Sequence, residues 1–410
     1  MQNKKALVLA ISAALAVPCA FAQKGGERKA WDAAEPDQIV ELYGKVYPEV
    51  IRPSGSGATE AGTPVATFAG TPTGTTGIIR RTEMESSNSR LGVRGHEKLG
   101  PNLKAIFQLE TEFHVDSNDS RFAQRDSFIG LAHRYFGTVK LGRMDTPFKS
   151  YGDDISFLGI SSGNFTSTSN VFRKPGFGTS NASRFHERAQ NMVDYESPEI
   201  GGLQGEVQYS TSETDTSTRH PHFWSGGIKW GAGPFEIAVA HEIHWDAFGG
   251  SSNVPTAMRN NTDQAVRSKD KATAVMVKYK LGRHQFEFDI NEKRYNENAT
   301  ITGRFSSYKN RAWLAIWDAR WSDAWRTQVH YVKAEKGECS RVNAACITDG
   351  LDGSQLSAGF AYYFSRRTYL FAMASWLKNG FSAQFNNSAS QAPAIGEDIT
   401  QYAVGLSHSF

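Results

Sequence analysis

Hydrophobic and polar residues alternate with a period of two along most of the chain. Leu203, Gly205, Val207 and Tyr209 share one parity, while Gln204, Glu206, Gln208 and Ser210 share the other. Phe286, Phe288 and Ile290 alternate in the same way with Gln285, Glu287, Asp289 and Asn291. So do Tyr402, Val404, Leu406, His408 and Phe410 with Gln401, Ala403, Gly405, Ser407 and Ser409. A strand sends successive side chains to opposite faces, so this pattern predicts strands with two unlike faces. No sustained helical period follows the first residues of the chain.

The connections alternate too. Short turns are expected at Glu97–Asn102, Phe136-Gly137, Ile200–Gly202, Gly231–Gly233, Gly282-Arg283, Ser322–Ala324 and Ser365-Arg366. Between them lie long polar segments at Arg52–Asn88, Val115–Gln124, Thr146–Ala189, Thr214–His222, Asp246–Lys271, Asn296–Asn310, Gly337–Gly353 and Gly380–Asp398. Seven short turns interleaved with eight long loops imply about sixteen strands, with every long loop at one end. A soluble β-sandwich has no reason for that asymmetry, whereas a transmembrane antiparallel β-barrel is built that way. Segments such as Phe235–Trp245, Arg283–Tyr295 and Ala324–Lys336 have the ~9–11 residues a tilted spanning strand needs. Aromatic residues gather near strand ends, with Trp230, Trp321 and Trp325 beside short turns and Trp224, Trp245 and Trp376 nearer long loops. Two such girdles are expected where amphipathic rings meet lipid headgroups.

Composition sharpens this reading. The chain has 410 residues, 39% hydrophobic and 21% charged, and a formal charge of +3. That is too polar for a bundle of apolar helices, and the basic residues are interspersed with acidic ones rather than clustered as in a nucleic-acid binder. Residues 1–22 have Lys4 and Lys5, an apolar run and Ala20-Phe21-Ala22, the pattern of a cleaved signal peptide. Residues 23–38 form a polar extension, and 39–410 are assigned to the barrel. Beyond the signal, the only cysteines are Cys339 and Cys346, which a chain exported to an oxidising compartment can join as a disulfide. No metal site or cofactor is expected.

Several segments resemble the Gram-negative general porins, especially the β-proteobacterial branch. They are Leu42-Tyr43-Gly44, then Ser89-Arg90-Leu91-Gly92-Val93-Arg94-Gly95 with Glu97, Leu99-Gly100 and Leu103-Lys104-Ala105. Phe128-Ile129-Gly130-Leu131, Phe136-Gly137-Thr138-Val139, Leu141-Gly142-Arg143, Asn191-Met192-Val193-Asp194-Tyr195 and the terminal Val404-Gly405-Leu406 follow in the family's order. The resemblance implies a homotrimeric, water-filled outer-membrane channel for ions and small hydrophilic solutes, set in outer-membrane lipid and lipopolysaccharide. Its third external loop, here 146–189, would fold inward and constrict the bore.

The family's wall arginines fall on Arg90, Arg143 and Arg188. Alternation adds Arg94 to the inward set, but gives Arg143 the parity of Val139 and Leu141, so its inward placement requires a local bulge. Asp153 and Asp154 would oppose these arginines from the loop. Lys104, Glu110 and Glu112 fall on the polar parity of the third strand and are assigned to the lumen. Charges facing one another across a narrow, low-dielectric passage would select polar and ionic solutes.

Two features leave other functions open. Gly159-Ile160-Ser161-Ser162-Gly163 matches a hydrolase nucleophile motif, but lies in a Ser/Thr/Asn-rich loop rather than between strand and helix. His241-Glu242-Ile243-His244 is one residue short of a zinc motif, and on a strand its histidines would face opposite sides. An outer-membrane barrel enzyme and a secreted soluble β-sandwich binding protein are therefore the alternatives.

Overall fold

The computed structural model describes residues 36–117, 122–152, 157–159, 164–178, 185–211, 213 and 215–410. Sixteen antiparallel strands form one closed sheet. β1 comprises Gln38–Val46 and Glu49–Ser56, and β2 comprises Glu83–Glu85 and Arg90–Gly100. β3 is Leu103–Glu112, β4 Ser127–His133, β5 Gly137–Asp145, β6 Arg188–Glu196, β7 Leu203–Thr211 and β8 His222–Ala232. β9 is Phe235–Trp245, β10 Lys269–Leu281, β11 His284–Asn296 and β12 Phe305–Arg320. β13 comprises Trp325–Ala334 and Glu338–Arg341, followed by β14 Gly353–Tyr363, β15 Thr368–Asn379 and β16 Asp398–Ser409.

Each strand pairs with its sequence neighbours, and β16 returns to β1 through Asp398↔Ser56 to Gly405↔Glu49. β1 is interrupted at Tyr47-Pro48, because proline has no N–H for the ladder. Its first half pairs with β2, from Gln38↔Glu97 to Lys45↔Arg90. Closure leaves no open backbone edge in hydrocarbon, which excludes the soluble sandwich. The short turns need residues that tolerate positive φ; Gly282, at +58°, joins β10 to β11 in two residues.

Burial is inverted relative to a soluble protein. On β11, Glu287, Asp289 and Lys293 retain 2%, 0% and 0% exposure, whereas Phe286, Phe288 and Ile290 retain 40%, 49% and 43%. Leu42, Ile129, Ile228 and Val404 are likewise exposed apolar side chains on their strands. The apolar parity therefore faces outward, where lipid replaces water at no hydrophobic cost.

The inner face departs from the expectation of a uniformly polar lumen. Ala238 and Ala240 on β9, Ala272, Ala274 and Met276 on β10, and Ala312, Leu314 and Ile316 on β12 are all buried. They form apolar clusters with residues of the external loops, among them Phe148, Phe172, Phe177 and Phe68. Small wall residues leave room for those rings, and burying aromatic area stabilises the packed loops by removing it from water. Part of the bore is thus filled by loop residues packed against the wall of β9, β10 and β12, and strand alternation alone cannot reveal which strands contribute to it.

The element edges also shift from expectation. β1 runs on to Ser56, the turn after β2 shortens to Pro101-Asn102, and Glu338–Arg341 is a strand inside a segment that shows no strand pattern in sequence. This last piece pairs with the start of β12, placing Cys339 opposite Tyr308. Cys339 and Cys346 form a disulfide across the β13–β14 loop.

Candidate functional site: the channel wall and the third loop

The segment between β5 and β6 carries two short helices, α1 (Pro147–Ser150) and α2 (Ser169–Phe172). Its described residues rest on inward groups of many strands. The Phe172 carbonyl accepts hydrogen bonds from Lys293 Nζ (2.7 Å) and Asn291 Nδ2 (2.8 Å) of β11. Gln355 Nε2 of β14 donates to the Phe165 carbonyl (3.1 Å), and Asn164 Nδ2 donates to Glu49 Oε1 of β1 (2.5 Å). Phe185 stacks on His244 of β9 with centroids 4.7 Å apart, and Arg326 of β13 lies 4.1 Å from the Phe157 ring centroid. Gly227 of β8 has to lack a side chain, since a Cβ there would stand 2.6 Å from the Tyr151 ring.

Most charged candidates collect on the wall from β1 to β6. Glu110 accepts from Tyr43 Oη (2.8 Å) and from Arg125 Nε, and Arg125 Nη1 lies 3.6 Å from Glu112. Arg188 Nε reaches Asp126 Oδ1 at 2.6 Å and Asp145 Oδ1 at 2.9 Å. Lys149 of α1 also binds Asp145, at 2.8 Å, tying the loop to this wall. Arg94 bonds Glu41 at 2.8 Å and lies over the Tyr43 ring, towards the end of the barrel with short turns. Arg90 sits in electrostatic reach of Arg125, Glu110, Tyr43 and Arg188. Lys104 is buried on the same parity of β3 as Glu110.

Arg143 is the case where alternation and family motif disagreed. β6 places Gln190 and Asn191 opposite Arg143 alone, since Gly142 pairs with Met192 and Met144 with Ala189. Asn191 takes φ +55° and Gly142 φ +147°, conformations that suit those residue types. This bulge breaks the two-residue period, and Arg143 comes within electrostatic reach of Arg188, Glu187, Asp126 and Asp145. Asp153 and Asp154 lie outside the described residues, as does Ile160–Gly163 of the nucleophile-like motif.

Sequence reasoning missed Tyr43, Arg125, Asp126 and Asp145, the groups that bind the named charges. Arg125 and Asp126 precede β4, where a loop gives no parity to read. His241 and His244 do diverge: His241 is exposed and bonds Thr273 (2.8 Å), while His244 is only partly exposed and bonds Glu242 (2.7 Å). In the β9–β10 loop, burial would raise the Asp246 carboxyl, yet hydrogen bonds from Arg267 and the His220 N–H hold it below the usual range.

A closed sixteen-stranded barrel with an apolar outer band and a charged inner wall is a membrane channel of the outer-membrane type. The sequence pattern of the Gram-negative porins matches residues 6–382. The chain belongs to the Gram-negative porin family. The major outer membrane protein P.IB of Neisseria meningitidis serogroup B is 26% identical over 318 residues, covering 74% of this chain and 81% of that protein. The P.IB protein of Neisseria sicca is 26% identical over 349 residues, covering 80% and 86%. Among solved structures, the anion-selective porin from Comamonas acidovorans superposes with a TM-score of 0.68 at 21% identity, covering 91% of this chain and 100% of that one. Salmonella typhi OmpF gives 0.57 at 16% identity, covering 91% and 97%. The protein is an integral outer-membrane channel for passive diffusion.

Proposed function

We propose that residues 146–189 constrict the channel opposite an arginine wall, and that the field between them favours small hydrophilic anions over cations. The observation that carries this reading is the partnering of the wall charges. Glu110 and Glu112 share Arg125, while Asp126 and Asp145 share Arg188. Lys149 also binds Asp145, which leaves these four carboxylates one cation short; among the described residues Arg90 and Arg143 have no ion pair, and adding them gives the group around the third loop one net positive charge. Most of the loop's contacts fall on β8, β9, β11, β13 and β14, with Asn164 reaching Glu49 of β1 and Lys149 reaching Asp145 of β5, and the rest of the β2–β6 wall is assigned to the conducting side. Asp153 and Asp154 are assigned to the opposing edge of the passage. Arg94, neutralised by Glu41, continues the row along the lumen without adding net charge, and Lys104 contributes to the same wall. A small polar anion gains attraction there, whereas an apolar solute loses ordered water without return. The name of the Comamonas relative, an anion-selective porin, agrees with this preference.

The working form is a homotrimer set in outer-membrane lipid and lipopolysaccharide, matured by removal of residues 1–22, with 23–38 ahead of the barrel. Hydrolysis is not expected of a channel, and an esterase assay comparing native protein with Ser161→Ala should give equal, background rates. Reversal potential across a tenfold KCl gradient tests the selectivity. Anion preference in the native channel, shifted towards cations when Arg90, Arg143 and Arg188 are neutralised, is expected; cation preference in the native channel would overturn the proposal.

A further inference from the structure

The β1–β2 loop, residues 57–82, leaves the barrel wall and lies across the end with long loops. Its Phe68 is fully buried, although external loops ordinarily expose their middle to water. The ring packs against Phe305 (4.8 Å between centroids) and Tyr308 (6.4 Å) of β12, four strands beyond the β16 that closes onto β1. It also meets Phe177 of the third loop edge-on at 5.4 Å, and Phe177 in turn lies 4.9 Å from Tyr308. The loop is therefore a strap whose ring bears on the external side of the segment assigned to the constriction. Its feet stand on the β15–β16 loop: Thr59 Oγ1 donates to the Phe381 carbonyl (2.6 Å), and Glu397 accepts from the Gly77 and Ile78 N–H groups (2.6 and 3.0 Å).

The middle of the strap is held differently. The Thr67 N–H donates to the Ile347 carbonyl (2.9 Å) and the Ile347 N–H donates to Thr67 Oγ1 (2.8 Å), a two-way clamp on one residue of the β13–β14 loop. Beside it the Ala66 N–H donates to Ser382 Oγ (2.8 Å), whose hydroxyl donates to the Asp349 carbonyl of that same loop (2.6 Å). Ile347 follows Cys346 directly, and the disulfide ties Cys346 to Cys339, which β12 holds opposite Tyr308. The bridge thus fixes the catch to the strand that receives Phe68. Both cysteines are half-buried, so a reductant can reach them, and exposed disulfides are the labile ones. A dithiol opens the bridge by two exchanges: one of its sulfurs forms a mixed disulfide with one cysteine as the other leaves as a thiolate, and its second sulfur then displaces the first cysteine. Two electrons and two protons pass to Cys339 and Cys346, and the dithiol becomes a disulfide. The catch then depends on hydrogen bonds such as Thr348 Oγ1 to the Gly337 carbonyl (2.9 Å), each weak on its own.

We propose that 57–82 is a redox-latched strap: with Cys339–Cys346 closed it holds Phe68 on Phe177 and steadies the third loop, and with the bridge reduced the strap lifts and the third loop fluctuates. The effect on the third loop rests on the constriction reading of 146–189; the latch itself does not. The test uses the folded full-length protein in detergent, native and after dithiothreitol, with hydrogen exchange over 57–82 followed by mass spectrometry and single channels recorded from the same samples. Reduction is expected to speed exchange at the Ala66 and Thr67 N–H groups by about tenfold or more, from the chain entropy released. Cys339→Ser/Cys346→Ser should match the reduced protein without any reductant. Phe68→Ala, with the bridge intact, should raise exchange at the same groups and make it indifferent to dithiothreitol. The open-channel step should keep its native size, because the barrel sets it, while brief closures become several-fold more frequent in the reduced, double-serine and Phe68→Ala proteins. Exchange at Ala66 and Thr67 unchanged by reduction, with the β13–β14 loop alone quickened, would overturn the latch and leave the bridge a local staple. Faster strap exchange with closures at the native frequency would overturn the hold on the third loop. The exchange changes in a protein that conducts no ions would support the latch and count against the channel reading instead.

Discussion

Replacing Arg90 by glutamine removes one positive charge that forms no ion pair among the described residues, beside Arg125 and Arg188. The fold should tolerate this, since one cation leaves a cation-rich group and its repulsion is relieved. An anion passing about 5 Å from a guanidinium gains roughly 0.8 kcal/mol in water-like dielectric. A Debye length of about 10 Å at 0.1 M salt reduces this to roughly 0.5 kcal/mol. A cation loses the same amount, so the anion-to-cation preference should fall by about 1 kcal/mol, or roughly fivefold. The assay is the reversal potential of single channels in a tenfold KCl gradient with the high side at 0.1 M. Arg90→Lys, which keeps the charge, should leave the ratio close to native. A permeability ratio unchanged by Arg90→Gln would refute the role of uncompensated wall charge, and a matching change in Arg90→Lys would assign the effect to shape.

Four further outcomes follow from the structure. Replacing Asn291 and Lys293 by alanine removes both hydrogen bonds to the Phe172 carbonyl, each worth about 0.5–1.5 kcal/mol, up to about 3 where the donor is charged; channel noise should rise while the barrel stays folded. Gly142→Ala meets the Ser127 carbonyl at 2.3 Å and a φ of +147°, so it should cost about 1–3 kcal/mol and lower the unfolding temperature in detergent. Reducing Cys339–Cys346 frees a short loop worth about 2.5 kcal/mol of chain entropy, and should speed proteolysis between β13 and β14 without altering conductance. Because Asp246 is held below its unfolded value of about 3.9, its stabilisation is fully present above that pH and is lost as pH falls through the lower folded value. Pepsin should therefore cut the β9–β10 loop progressively in acid, and Asp246→Asn should remove that pH dependence.

The strands were legible because a lipid-facing row and an inward row make opposite demands, and Phe286, Phe288 and Ile290 answer one while Glu287, Asp289 and Asn291 answer the other. Loop order gave the barrel its sense and strand number. The loop-packed part of the lumen was not legible: Ala238, Ala272 and Ala312 read as neutral in an alternating pattern, and only their loop partners Phe148, Phe172 and Phe177 explain them. Arg143 shows a different limit. A family motif placed it on the wall against the local parity, and the bulge at Asn191 that reconciles the two leaves no periodic trace. Arg125, Asp126 and Asp145 escaped notice because strand ends and loop ends have no alternation to read, although these residues bind Glu110 and Arg188.

The central claim is a water-filled passage through a closed barrel whose polar surface faces inward. Purified protein added to a planar bilayer in KCl should insert in discrete, ohmic steps whose size rises in near proportion to salt concentration, as ions crossing open water require. Well-folded barrels that insert without conductance steps, or whose current saturates at millimolar salt as at a tight binding site, would contradict it.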